Sequence, residues 1–406
     1  MADAPQQICI LGGGFGGLYT ALRLSQLPWE GTSPTITLVD CNDRFLFLPL
    51  LYELVTDELQ AWEVAPPYVE LLAGTAVQFR QAEVSAIDLD QQRVNLSDGI
   101  TLPYDRLVLA LGGTTPMDMA PGVAEHALAF RTLQDAYQLK DRLRLLTASD
   151  AEKIRVAVVG GGYSGVELAC KVAEQLGDGQ RPVGDHRGRV RLIERTDMIL
   201  RTSPEYNREV AQKVLSDLGV WVDLETSVDN ITADTISLTF RDQTDILPVD
   251  LVLWTVGTRV NEVMASLPLK HNDRQQIVVQ PTLESVDRPG VYALGDAADC
   301  RDAEGQQVPT TAQVALQQAD FVGWNIWASL SDRPQLPFRY RHLGEMLTLG
   351  TSRATLTGLG IQLDGELAYV ARRLAYLYRM PTFNHQVRVG INWMTKPLRD
   401  LLSAQS

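Results

Sequence analysis

Two glycine runs carry the first chemistry in this chain: Gly12-Gly13-Gly14-Phe15-Gly16-Gly17 and Gly160-Gly161-Gly162-Tyr163-Ser164-Gly165. Each has the spacing G-x-G-x-x-G, follows an apolar run (Ile8-Cys9-Ile10-Leu11; Val156-Ala157-Val158-Val159) and opens a stretch with helical spacing of apolar residues. A Cβ at Gly14 would hold the backbone away from a pyrophosphate, and Gly17 lets helix and strand close on each other. The helix start then offers free N–H groups to phosphate oxygens. An acid ends the next apolar run in both cases: Asp40 follows Gly17, and Glu194 follows Gly165 at a somewhat longer interval. A polar loop between Gly177 and Gly188 takes up the extra length. A carboxylate there accepts from a ribose diol, and the fingerprint expects it about 20 residues on. At the second site Glu194 repels a 2′-phosphate and favours NADH, whereas Arg195 could pair with that phosphate, so NADH and NADPH both stay open.

These residues need two strand–turn–helix–strand units to position them. The unit that begins at Gly12 repeats from Gly160, and the strand Leu102–Gly112 recurs as Leu247–Gly257 with Asp and Gly seven apart in both. Two dinucleotide sites in one chain imply a flavin held permanently and a nicotinamide cofactor that comes and goes. A third short strand, Val291-Tyr292-Ala293-Leu294, ends in Gly295-Asp296.

The 406 residues exceed what one core usually organises, and 45% hydrophobic with 21% charged residues is an ordinary globular composition. A net charge of −14 disfavours nucleic acid. Cys9, Cys41, Cys170 and Cys300 form no CxxC, which argues against a zinc ribbon, a disulfide framework or a vicinal redox pair, and no metal site is expected. No signal precedes the first strand and no run spans a bilayer, so the expected location is the cytoplasmic side of a membrane. From Glu366 onward the chain carries six Arg and Lys against two acids. Within this tail Leu367, Val370, Ala371, Leu374, Leu377 and Tyr378 form an apolar helical stripe, and beyond Pro381 a second helical stretch carries Phe383, Val387, Ile391, Trp393 and Met394. A basic, aromatic-edged hairpin of this kind suits an anchor in the lipid interface, with attraction of all six basic residues as a second contribution. Packing on the catalytic body or on a dimer mate is the alternative.

The two fingerprints with Gly295-Asp296 resemble the two-dinucleotide-binding-domain flavoproteins, an α/β, glutathione-reductase-like fold of two Rossmann-type domains. That likeness implies an FAD domain in two pieces, residues 1–120 and 275–335, an NAD(P)H domain at 121–274, and a membrane-associating region at 336–406. Phe47-Leu48-Pro49-Leu50-Leu51-Tyr52-Glu53 and Pro309–Ala319 are similar to the flavin-side and quinone-side segments of the type II NAD(P)H:quinone oxidoreductases. Hydride would then pass from NAD(P)H to FAD, and two electrons to a membrane quinone of plastoquinone, menaquinone or demethylphylloquinone type, without proton pumping. The chain looks similar to the cyanobacterial and plastid branch, and a homodimer is compatible with it. The resemblance implies Gly12, Gly14, Phe15, Gly16, Gly17, Asp40, Arg44, Pro49, Val84, Ala110, Gly112, Gly295, Asp296, Gln313 and Val314 on the FAD side. It implies Gly160, Gly162, Tyr163, Ser164, Gly165, Glu167, Glu194, Arg195 and Gly257 on the NAD(P)H side. Glu167, Gln313 and Gln317 would be catalytic, the two amides sharing one helix face beside the flavin. A soluble reductase of a small redox protein, or an NAD(P)H-sensing flavoprotein, would share the fingerprints.

Overall fold

The computed structural model describes residues 4–177 and 187–403, with side chains to residue 396. The chain divides into two compact units. The first takes in the chain up to Phe47, Ala65–Thr114 and Thr258–Arg341; the second takes in Leu48–Val64, Thr115–Gly257 and the chain from His342 onward.

In the first unit five parallel strands lie in the order Val291–Ala293, Arg106–Leu109, Gln7–Leu11, Thr35–Asp40, Val77–Gln81. Ile8, Ile10, Leu11, Leu107, Val108 and Leu109 are buried, as continuous apolar runs in a sheet covered on both faces must be. The helix Phe15–Ser25 follows the first strand and packs on the long helix Ala312–Leu330, where Gly323 leaves room for Arg23.

The second unit has five parallel strands in the order Ala127–Ala129, Leu251–Trp254, Ile154–Val159, Gly188–Ile193, Trp221–Asp223. The roles match one for one: the fingerprint strand is central, flanked by the strand ending in the acid and the strand leading to a glycine. A three-stranded antiparallel sheet, Thr226–Ile231, Thr235–Phe240 and Gln243–Pro248, packs Ile231, Ile236 and Leu238 against Val123, Val159 and Trp254. A further hairpin sheet, Glu345–Thr348, Ala354–Gly358 and Ile361–Asp364, leads into the tail helices Gly365–Arg379 and Phe383–Ser403.

The unit boundaries differ from the sequence ranges. Residues 48–64 and 115–120 fall in the second unit, residues 258–274 and 336–341 in the first, and the tail from His342 onward is part of the second unit instead of a separate region. For residues 48–64 and the tail the cause is polar: Glu53, Glu58 and Glu63 all bind donors on the tail helices. This also corrects the reading of the tail charges. Arg372 is fully buried against Glu53, Arg373 pairs with Glu58, Arg388 lies over the Trp62 ring, and Lys396 donates to the carbonyls of Asp57 and Glu58. These four basic residues are occupied by protein, Arg379 is not free either, and the side chain of Arg399 lies outside the described residues, as does most of the loop between Gly177 and Gly188. The apolar stripe points the other way, with Leu367 74%, Leu374 60% and Tyr378 77% exposed. The helix is inverted, its charged face inward and its apolar face outward.

Candidate active site

The two fingerprints build the same cradle twice. Gly12 and Gly160 both take a positive φ, +95° and +111°, which an L side chain adopts only under strain. A Cβ on Gly17 would meet the Gly12 carbonyl oxygen at 1.7 Å, and one on Gly165 would meet that of Gly160 at 1.7 Å, so both helices close on their strands. At Gly14 and Gly162 a Cβ would meet nothing within 4 Å. That is the open side, directly before the helices Phe15–Ser25 and Tyr163–Leu176, neither of which has an acid in its first turn or a side-chain cap.

The acids repeat as well. Asp40 accepts from the Gly13 N–H (2.6 Å) and the Asn42 N–H (2.8 Å). Glu194 accepts from the Gly161 N–H (2.6 Å), the Thr196 N–H (2.7 Å) and the Thr196 hydroxyl (2.9 Å). Each carboxylate is thus fixed by its own glycine loop, and Arg195 beside Glu194 is exposed.

Around the first cradle Phe15 packs edge-on to Phe45 and Phe47, Ala110 lies under Gly12, and Val84 and Val314 are buried. Gly112, Gly257 and Gly295 have positive φ. The Gly295-Asp296 turn is held by Gln318, whose Oε1 accepts from the Gly295 N–H (2.8 Å), and by Gln276, which donates to the Asp296 carbonyl (3.1 Å). Arg44 makes a two-pronged contact with its neighbour Asp43. Gln313 and Gln317 do share a helix face, but that face carries the Tyr340-Arg341 segment: Gln317 Nε2 donates to the Arg341 carbonyl (2.9 Å), its Oε1 accepts from the Arg341 N–H (3.1 Å), and Gln313 Oε1 accepts from the Tyr340 hydroxyl (3.2 Å). Gln317 thereby staples the Tyr340-Arg341 segment to its helix.

The second unit holds a buried charge cluster around Glu167. Its Oε1 accepts from the Thr348 N–H (2.8 Å) and lies 3.7 Å from Arg372 Nη2. Arg372 pairs with Glu53 at 2.5 Å and donates to the Pro49 carbonyl at 2.7 Å; Glu53 and Arg372 are wholly buried, and Glu53 Oε2 meets no donor. Lys171, one turn beyond Glu167 and fully buried, pairs with Glu58. Tyr369 donates to Glu58 as well (2.6 Å). Burial pushes the Glu167 carboxyl up to about 7, against the pull of Arg372 and the Thr348 N–H. Burial pushes Glu53 upward too, but Arg372 and then Lys171 outweigh it and leave its carboxyl below the usual range. Two carboxyls side by side are thus driven apart, one ionised and one poised near neutrality, an arrangement suited to acid–base work. On the same helix Ser164 accepts from the Tyr52 hydroxyl (3.0 Å), and Tyr163 donates to Glu345 (2.7 Å).

The family model for pyridine nucleotide-disulphide oxidoreductases matches residues 6–319. A demethylphylloquinone reductase of Synechocystis sp. is 58% identical over 99% of both chains. An alternative NAD(P)H-ubiquinone oxidoreductase of Arabidopsis thaliana is 41% identical over 98% of this chain and 82% of its own. The chain belongs to the type II NAD(P)H:quinone oxidoreductases. NDH2 of Plasmodium falciparum, solved with NADH, shares the fold at a TM-score of 0.83 and 16% identity, over 97% of this chain and 98% of that one. This family uses FAD and NAD(P)H, and the residues present fit both. Each cradle offers an uncapped helix start, a glycine with clear space where a pyrophosphate backbone must approach, and a fixed carboxylate for a ribose.

No local spacing marks Glu53, Glu58, Lys171, Arg372, Tyr369 and Gln318 as parts of a site. One signal exists: Lys171 falls four residues after Glu167, within the otherwise apolar run Leu168–Ala173.

Proposed function

We propose that the chain oxidises NAD(P)H and reduces a membrane naphthoquinone of the demethylphylloquinone type, with Glu167 supplying the proton that completes the quinol. The substrate class rests on the 58% identical relative, whose name states that activity. What supports the role of Glu167 is its place in the buried cluster, against Arg372 and the Thr348 N–H and beside the Arg372–Glu53 pair, where burial pushes its carboxyl up to about 7. In the first unit the Gly12 fingerprint, Asp40 and the Gly295-Asp296 turn hold FAD; in the second the Gly160 fingerprint and Glu194 hold NAD(P)H. FAD, when bound, accepts the hydride and passes two electrons on. Steady-state oxidation of NADH with naphthoquinones and with benzoquinones as acceptors tests the substrate class. A clear kcat/KM preference for the naphthoquinones supports it, and equal or reversed preference refutes it.

Gly14→Val places a branched side chain in the open side of the first cradle. The purified variant should be colourless, measured as flavin absorbance per chain. Full yellow colour would remove FAD from this cradle.

At the second cradle Glu194→Gln removes the charge that opposes a 2′-phosphate, and its Oε1 still accepts one of the backbone N–H groups. The ratio of kcat/KM for NADPH to that for NADH should rise by about tenfold, since one charge-assisted hydrogen bond is worth roughly 1.5 kcal/mol. An unchanged ratio would place the adenosine ribose elsewhere.

The tail helices seat the enzyme on the bilayer through the outward apolar face, Leu367, Leu374, Tyr378, Phe383, Ile391 and Met394, which is larger than scattered surface residues account for. Among the described residues no helix is long and apolar enough to cross a membrane. With these basic residues occupied, burial outweighs charge. Leu367→Ser with Leu374→Ser should therefore release the protein from liposomes, at about 1.5–3 kcal/mol for each buried side chain lost, whereas raising salt alone releases little. Binding that vanishes at moderate salt would contradict this.

A further inference from the structure

The helix Tyr163–Leu176 opens on two hydroxyl side chains, and each is held by a residue from another part of the second unit. Tyr163 donates its proton to Glu345 Oε2 (2.7 Å), which also accepts from the Ser203 hydroxyl (2.7 Å). That proton is committed to protein. Ser164 is the reverse case: its Oγ accepts from the Tyr52 hydroxyl (3.0 Å), and among the described residues its own proton goes to no acceptor. A serine hydroxyl has one proton and two lone pairs, and the proton turns to suit its partners. With Tyr52 donating on one side, the Ser164 proton is turned to another. Tyr52 arrives from the core: it is buried, and its ring centre lies 5.2 Å from that of Phe130, also buried, whereas Ser164 is half-buried. Burial, with the charge of Glu167 next, pushes the Tyr52 phenol well above its ordinary range, so it remains a donor at any working pH. Away from the core lies the open side of the cradle, where a Cβ on Gly162 would meet nothing within 4 Å. The Val166 N–H bonds back to the Gly162 carbonyl (3.0 Å), which leaves the N–H groups of Tyr163 and Ser164 ahead of that bond, at the end of the helix that attracts an anion.

We propose that Tyr52 is a positioning residue for the nicotinamide dinucleotide: by donating to Ser164 Oγ it aims the Ser164 O–H at a phosphate oxygen of NAD(P)H. This rests on the reading of the second cradle as the NAD(P)H site. A pyrophosphate offers more acceptor oxygens than the backbone N–H groups of one helix start can serve, and a hydrogen bond to a charged acceptor is about twice as strong as a neutral one. A hydroxyl that swings freely gives up part of that gain when it is immobilised; one already fixed by a buried phenol does not. Tyr52 acts on the ligand only through Ser164. The bond bears on the phosphate and not on the carbon that gives up hydride, so it strengthens binding of the dinucleotide and leaves the rate of the bound complex alone.

The test is calorimetric binding of ADP-ribose, which carries the pyrophosphate without the nicotinamide, to the full-length, FAD-loaded, oxidised enzyme, beside stopped-flow flavin reduction over a range of NADH concentrations. Ser164→Ala should raise the ADP-ribose Kd by about tenfold, the loss of one hydrogen bond to a charged group. Tyr52→Phe keeps the ring against Phe130 and should raise it by about three- to tenfold, as for one neutral hydrogen bond. In both variants the NADH concentration that gives half-maximal flavin reduction should rise by the same factor, with the limiting rate within twofold of wild type. The double variant should bind no more weakly than Ser164→Ala alone, because Tyr52 works through that hydroxyl. Ser164→Thr keeps the hydroxyl and should bind like wild type. Wild-type ADP-ribose affinity in Tyr52→Phe overturns the proposal. Additive losses in the double variant also overturn it, as does a lowered limiting rate at unchanged affinity, since both belong to packing of the Tyr52 ring. Gly162→Val tests the reading beneath and should abolish ADP-ribose binding. Binding lost in Gly162→Val but normal in Tyr52→Phe and Ser164→Ala sinks the role of Tyr52 alone, whereas wild-type binding in Gly162→Val removes NAD(P)H from this cradle.

Discussion

Glu167→Gln should slow re-oxidation of the flavin by quinone by about 10²–10⁴-fold, the usual contribution of a positioned acid, with reduction by NADH within a few-fold of wild type. The amide keeps an acceptor for the Thr348 N–H, so the helix and strand stay joined. The sign of the pH dependence follows from burial. The carboxyl lies at about 7, so its proton is present below neutrality and lost above it. Wild-type re-oxidation should fall as pH rises through 7, and the variant should show no such limb. Stopped-flow rates across the neutral range check both. A limb that persists in the variant belongs to another group.

Arg372→Met should be the most destabilising single change in the second unit. It leaves Glu53 fully buried without its paired cation, Lys171 and Arg373 acting only at longer range, which costs about 3–5 kcal/mol for a buried pair broken on one side. For a unit of this size that is a drop in Tm on the order of 10 °C. In wild type the Glu53 carboxyl is held low, so its stabilisation is present above the ordinary carboxylate range and lost only as pH falls below it. In the variant the sign reverses: Glu53 takes up a proton on folding, and the deficit shrinks as pH is lowered towards that range. Adding Glu53→Gln should recover much of the loss, because a neutral amide no longer needs the cation. Differential scanning calorimetry of the single and double variants over pH measures this; additive losses would show that the two side chains do not act as a pair.

The parts legible in the sequence are those with local spacing. Gly12 to Gly17, Gly160 to Gly165, Asp40 and Glu194 declare themselves because a tight turn, a close helix and a strand end are all set within one strand–helix–strand unit. The apolar stripe from Leu367 to Tyr378 is equally plain, and the helix forms where its period places it. Its orientation is not. Composition identifies a charged face and an apolar face, but which of them turns inward depends on partners near the other end of the chain: Glu53 and Glu58 for Arg372 and Arg373. The same distance hides the allegiance of residues 48–64, which follow strand-like and aromatic neighbours in sequence but whose acids are claimed by the tail. The bond from Gln317 to Arg341 is hidden for a related reason, since a contact between residues 24 apart leaves no mark in local spacing.

A single-turnover experiment bears on hydride acceptance, quinone reduction and proton delivery at once. Protein reduced anaerobically with one equivalent of NADH is mixed with a long-tailed naphthoquinone in liposomes, and flavin absorbance, quinol yield and proton uptake are followed together. One quinol and one proton taken up for each NADH are predicted, with re-oxidation that is fast in wild type and at least a hundredfold slower in Glu167→Gln. Rapid flavin reduction followed by no quinol, or quinol formed at the same rate in both proteins, would contradict the role given to Glu167 and to the quinone.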